Sequence, residues 1–190
     1  MRHRALDEAK EDRVSRLEMP ENLHILLVED NHHDRVAFRR AFKMADGDST
    51  ISVNITMCAR AEEALARLDE AMSEGEAHAG GMPFDLIVAD HKLPGMSGLD
   101  LCKTLLSRNV PVPLVILTGR GSESLAVEAL KAGVEDYIIK DPDRGYLALL
   151  PVVLSDVVRK YEDRLARERA ETALAKQAEE LARSNADLEQ

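Results

Sequence analysis

Five short aliphatic runs, four of which stop abruptly at a charged or hydroxyl residue, constrain this chain more than any other feature. The first is Leu23–Val28 (LHILLV), which stops at Glu29-Asp30. The second, residues 51–57 (ISVNITM), alternates in polarity. Phe84–Ala89 (FDLIVA) stops at Asp90, and Val112–Leu117 (VPLVIL) stops at Thr118-Gly119. Residues 135–139 (EDYII) stop at Lys140. Runs this short and this apolar suit strands buried on both faces. Between them lie helical stretches at 33–45, 61–72, 98–107 and 122–132. In the first of these, Val36, Ala37, Phe38, Ala41 and Phe42 fall along one helical side. Asp46-Gly47-Asp48 marks a turn, and Gly133 is placed to end the helix before it. Strands alternating with helices predict an α/β fold. The sheet is parallel, helices cover both faces, and the crossovers are right-handed.

Composition narrows what such a fold does. The chain has 190 residues, enough for one domain of ordinary size and something more. Aromatic residues make up 3% and Trp is absent, so the core is built from aliphatic side chains. The net charge of -10 argues against a broad basic face for nucleic acid. No apolar run approaches the ~20 residues a membrane span needs. Residues 1–20 form a charged arm unlike a signal peptide. Ala5, Leu6, Ala9, Arg13 and Leu17 suggest a short helix there, ending before Pro20. A cytoplasmic location is expected. Cys58 and Cys102 show neither a pairing pattern nor metal spacing, so both are expected to be reduced structural thiols.

In a parallel sheet, ligands bind beyond the carboxyl ends of the strands, where the strand order reverses. Those ends deliver Glu29, Asp30, Asp90, Thr118 and Lys140. Each alone has an ordinary explanation, since acids after strands cap helices and lysines at strand ends are solvated. All of them together, each at a strand end, point to a site. Clustered carboxylates repel one another, and a hard cation such as Mg²⁺ relieves that repulsion. One carboxylate can then act as a nucleophile towards a phosphoryl group. The Lys140 ammonium, the Thr118 hydroxyl and backbone N–H groups meet the charge on the phosphoryl oxygens.

The segments ILLVEDN (25–31), DLIVADHKLPGMSGLDL (85–101) and VILTGRGSESLAVEALKAGVEDYIIKD (115–141) resemble the receiver domains of response regulators in two-component systems. The resemblance implies a flavodoxin-like (βα)5 doubly wound sheet with strand order 2-1-3-4-5. It implies that Asp90 accepts a phosphoryl group from a phosphohistidine donor. Glu29, Asp30, Asp90 and the backbone carbonyl of Lys92 are implied to hold Mg²⁺. Lys140 is implied to contact the phosphoryl group, with Thr118 as the switch hydroxyl and Tyr137 as its aromatic partner. The family usually places Pro directly after the lysine, whereas Asp141 intervenes here before Pro142. The haloacid-dehalogenase phosphatases also use a strand-end Asp, but in an Asp-x-Asp motif, and Lys92 stands where the second Asp belongs. A scaffold with a degenerate receiver is a third class, which the complete set of site residues disfavours. His32 and His33 are expected to be exposed at a helix start, His24 to flank the first strand and His91 to face solvent.

From Tyr146 the chain is helical in pattern almost to its end, with Pro151 expected to open the helix or to kink it. Leu174, Leu181 and Leu188 recur every seven residues, a coiled-coil signature that suggests a parallel homodimer. The closing EELARSNADLEQ resembles the segment that precedes the phosphoacceptor helix of many sensor histidine kinases. The expected organisation is an arm at 1–20, a receiver at 21–145 and a helical output linker at 146–190. The receiver is expected to be the N-terminal part of a hybrid histidine kinase. The chain itself, lacking ATP-binding motifs, is expected to be a self-phosphorylating receiver and no enzyme beyond that.

Overall fold

The computed structural model describes residues 22–45, 52–74, 82–119 and 123–188. The short helix expected within 1–20 and the turn at 46–48 lie outside the described residues. The strands are β1 (Asn22–Val28), β2 (Ser52–Cys58), β3 (Leu86–Asp90), β4 (Leu114–Gly119) and β5 (Asp136–Lys140). The helices are α1 (His32–Ala45), α2 (Ala61–Glu74), α3 (Gly98–Ser107), α4 (Glu123–Ala132) and α5 (Tyr146–Leu188). All four strand pairings are parallel, in the order β2-β1-β3-β4-β5. This is the flavodoxin-like arrangement expected. The order reverses at β1, so the crevice at the carboxyl ends opens between β1 and β3.

Alternation along each strand sorts the core into two layers. Leu26, Val28, Ile87, Ala89, Leu114 and Ile116 face α2, α3 and α4, which contribute Ala64, Leu68, Leu101, Leu105 and Ala129. Leu23, Ile25, Leu27, Leu86, Val88, Val115 and Leu117 face the other way, against Phe38 and Phe42 of α1 and Leu150 and Leu154 of α5. Burying one such aliphatic side chain stabilises the fold by about 1.5–3 kcal/mol. β4 starts at Leu114, two residues later than expected. Pro113 has no N–H for the ladder, although its carbonyl still accepts from Ile87 N at 3.1 Å. Gly133, just past α4, takes φ +105, the left-handed geometry expected of a residue ending a helix.

The chain divides into two units, one through Val158 and one from Arg159 onward. In the first, α5 presses Leu150, Leu154, Val157 and Val158 into the core. In the second, Leu174 and Leu181 are each 65% exposed. The expectation that Pro151 opens or kinks α5 needs correction on the first count. The helix begins at Tyr146, and Pro151 lies inside it. The start is secured upstream by Asp141, whose carboxylate accepts from Gly145 N at 2.9 Å and Tyr146 N at 2.8 Å. Pro151, the sixth residue of the helix, has no N–H to give to the carbonyl four residues before it, that of Leu147. No helix among the described residues is long and apolar enough to cross a membrane.

Cys58 and Cys102 are free and buried. Burial, and for Cys58 the Glu63 charge as well, pushes their thiols up to about 11 and about 12. Thiolate is the reactive form. Native protein at neutral pH is therefore expected to be inert to an aromatic disulfide reagent, and to release two equivalents of thiolate once unfolded in urea. Rapid reaction of the native protein would contradict this burial.

Candidate functional site

The cluster follows from the strand periodicity. Leu27, Val88 and Ile138 belong to the layer against α1 and α5. Two residues further along the same three strands come Glu29, Asp90 and Lys140, so their side chains emerge on that same face. Lys140 Nζ lies 2.5 Å from Glu29 Oε2, 3.1 Å from Asp90 Oδ1 and 3.7 Å from Asp34 Oδ2. Glu29 is 2% exposed and Asp90 8%, whereas Asp30 is open to solvent. One carboxylate oxygen from each of Glu29, Asp30 and Asp90 falls within 4.8 Å of the others. Such a set of hard oxygen donors suits Mg²⁺ rather than a softer metal.

Charge and burial compete here. Burial raises the Glu29 pKa, the Asp90 charge adds to the rise, and Lys140 opposes it. For Lys140, burial alone would lower the pKa. The hydrogen bond to Glu29 and the charges of Asp90 and Glu29 more than reverse that, leaving it raised. The ammonium is therefore firmly protonated at neutral pH.

Of the residues singled out from sequence, Glu29, Asp30, Asp90 and Lys140 come together as expected. Thr118 stands at the same strand edge, 1% exposed, but on the opposite face of β4. Its hydroxyl donates to Gly119 O at 3.4 Å. Tyr137 is half-buried on β5, opposite Ile116, and shares the Thr118 face. Lys92 is exposed in the β3–α3 loop. His32 and His33 are exposed at the start of α1. The expectation that His91 faces solvent is not met. The residue is half-buried, and its Nδ1 is shielded with no hydrogen-bond partner among the described residues. Its main chain is held just past the end of β3: His91 N donates to Leu117 O at 2.8 Å, and His91 O accepts from Gly98 N at 3.1 Å.

Sequence reasoning passed over the residues that steady the site. Asp34 in α1 pairs with Arg144 at 3.0 Å as well as approaching Lys140. Arg35 donates to the carbonyls of Glu29 and Asp30. The available signal was a pair of charged residues one helical turn after the acidic pair. Asn31 Oδ1 accepts from His33 N at 2.9 Å and so caps α1. Gly98 gives α3 its close approach to β3: a Cβ there would lie 2.1 Å from Asp90 O. Gly98→Ala is expected to cost about 1–3 kcal/mol in urea unfolding, as overpacking does. A variant as stable as wild type would show that the loop absorbs the methyl group freely.

The five-stranded order and the acidic strand-end cluster with its lysine define a receiver-type α/β module. A family model described as the response regulator receiver domain matches residues 25–149. The chain belongs to the response regulator receiver family. It is 31% identical over 147 residues to the methanogenesis regulatory protein FilR1 of Methanothrix harundinacea, covering 77% of this chain and 30% of that protein. It is 29% identical to the two-component response regulator ARR6 of Arabidopsis thaliana, covering 76% of this chain and 70% of that one. With the transcriptional regulatory protein FixJ of Azorhizobium caulinodans it shares 31% over 146 residues, 76% of this chain and 59% of FixJ. The match therefore spans less than two thirds of the length of FilR1 and of FixJ. Among solved structures, full-length FixJ from B. japonicum superposes with a TM-score of 0.57 at 26% identity, covering 80% of this chain and 65% of that one. The receiver of a LuxO repressor protein from Vibrio parahaemolyticus gives 0.61 at 22% identity, covering 77% and 98%.

Proposed function

We propose that this chain is a phosphorelay switch in which Asp90 takes a phosphoryl group from a phosphohistidine on a partner protein. The observation that carries this reading is the Asp90 carboxylate, nearly buried, 3.1 Å from the Lys140 ammonium and grouped with Glu29 and Asp30. In the transfer, an Asp90 carboxylate oxygen forms a bond to phosphorus as the phosphorus–nitrogen bond breaks. The imidazole leaves with that electron pair and is reprotonated from solvent. Lys140, already beside Asp90, then pairs with the phosphoryl oxygens. Glu29, Asp30 and Asp90, with the Lys92 carbonyl, would hold Mg²⁺, whose charge would offset that on the phosphoryl oxygens.

Signalling follows from a shift between two populations, to the extent that the phosphoryl group interacts differently with each. Thr118 turns its hydroxyl to the phosphoryl group, and Tyr137, on the same sheet face, moves into the space left behind. Ile139 lies opposite Thr118 on the edge strand β5. Ile139, Val127 and Leu130 of α4, and Leu149 and Val152 of α5 are all exposed apolar residues. These form the surface that registers the change. Residues 1–20 are an arm, 21–145 the receiver and 146–190 the output linker. The linker pairs with a second copy as a parallel coiled coil, through the heptad that includes Leu174 and Leu181, and leads to a histidine kinase output. A cytoplasmic location fits this role.

Incubation with acetyl phosphate and Mg²⁺ is expected to add one phosphoryl group to the wild type by intact mass and none to Asp90→Asn. Wild type without the mass gain would sink the phosphoacceptor assignment. Sedimentation is expected to show a dimer for wild type and a monomer for Leu174→Glu/Leu181→Glu. A wild-type monomer at all concentrations would remove the coiled-coil linker.

A further inference from the structure

Arg35 stands in the first turn of α1, its own N–H bonded to Asn31 O at 3.0 Å. Its side chain turns back towards the end of β1. There Nη1 donates to Glu29 O at 2.7 Å and to Asp30 O at 3.0 Å. β1 ends at Val28, so the guanidinium takes hold of the main chain just where the strand stops. The two carbonyls it grips belong to the two residues whose carboxylates join Asp90 in the acidic cluster.

The two acids differ in what else holds them. The Glu29 carboxylate is fixed at both oxygens, by Asn31 N at 3.1 Å and by Lys140 Nζ at 2.5 Å. Asp30 is exposed, and among the described residues no hydrogen bond or ion pair reaches its carboxylate. Its position in the cluster rests on its backbone, and Arg35 grips that backbone. The guanidinium does this without occupying a carboxylate oxygen, so all three acids keep their ligand atoms free of it.

We propose that Arg35 is a positioning residue for divalent-cation binding. It clamps the Glu29–Asp30 main chain so that the Asp30 carboxylate stays beside those of Glu29 and Asp90. The inference rests on the reading of that cluster as a Mg²⁺ site, and Arg35 itself touches neither the cation nor the phosphoryl group. Two effects of the residue oppose each other. Its positive charge disfavours an arriving cation, but that effect is weakened by solvent screening. Loss of a partner that orients metal ligands typically costs about 10–100-fold in affinity, which is the larger effect.

The test is a calorimetric titration with MgCl₂ on wild type, Arg35→Met and Arg35→Lys. Methionine keeps an unbranched apolar stem in place of the guanidinium's, which favours folding, but donates nothing. Lysine keeps a donor and the charge. Arg35→Met is expected to bind Mg²⁺ about tenfold more weakly, and Arg35→Lys to recover most of the loss. The Mg²⁺ concentration for half-maximal phosphorylation by acetyl phosphate should rise by the same factor, with the maximal rate unchanged. In an Asp30→Asn background the effect of Arg35→Met on Mg²⁺ affinity should shrink to near nothing, because Asp30 is the residue it places. Equal affinity in wild type and Arg35→Met would overturn the inference alone. So would a full effect in the Asp30→Asn background, or tighter binding in Arg35→Met, which would make the charge dominant. Wild type that binds no Mg²⁺ would remove the cation-site reading and this inference with it.

Discussion

Three carboxylates brought to the ends of two neighbouring strands repel one another, and much of the site is arranged around that fact. Their nearest oxygens lie within 4.8 Å of one another, close enough for the repulsion between full charges to be felt even near a protein surface. Lys140 answers part of this from β5, on the far side of the sheet order, by reaching both Glu29 and Asp90. The long-range contact ties the last strand to the first and third at the edge where the site opens. What Lys140 leaves uncompensated is net negative charge, gathered where the first and third strands end.

The supporting cast manages geometry more than charge. Gly98 lets α3 start against the Asp90 carbonyl, and Arg35 takes up the carbonyls beyond β1. Asp34, paired with Arg144, ties α1 to the loop that follows β5. None of these residues belongs to the acidic cluster itself. Each acts on the backbone or on the charge environment of a residue that does.

Much of this was legible in the sequence, for a physical reason. Strands buried on both faces must be almost wholly aliphatic, so Leu26, Ile87 and Ile116 and their neighbours announce themselves. The polar residue that ends four of the five runs, such as Asp90 or Lys140, is then placed at a known edge of the sheet. Details set by a single backbone contact were not legible. Periodicity does not tell whether a proline opens a helix or sits within it: the helix starts at Tyr146, just after the N–H groups that Asp141 takes up, and Pro151 lies inside it. Nor does it reveal that the His91 main chain is bonded to Leu117 and that its ring Nδ1 is shielded. Arg35 was hidden because its role depends on where two carbonyls point, which side-chain patterns do not record.

Asp141, the residue that separates the lysine from the proline, has a mechanical consequence. Lys140 ends in the carboxylate cluster, and Asp141 ends at the first N–H groups of α5. The peptide unit between them is planar and stiff. It holds the two Cα atoms about 3.8 Å apart, so the two anchors sit at neighbouring points of the chain. The start of α5 and the cation of the cluster are therefore fixed by adjacent residues, and an insertion between them would misplace one or the other.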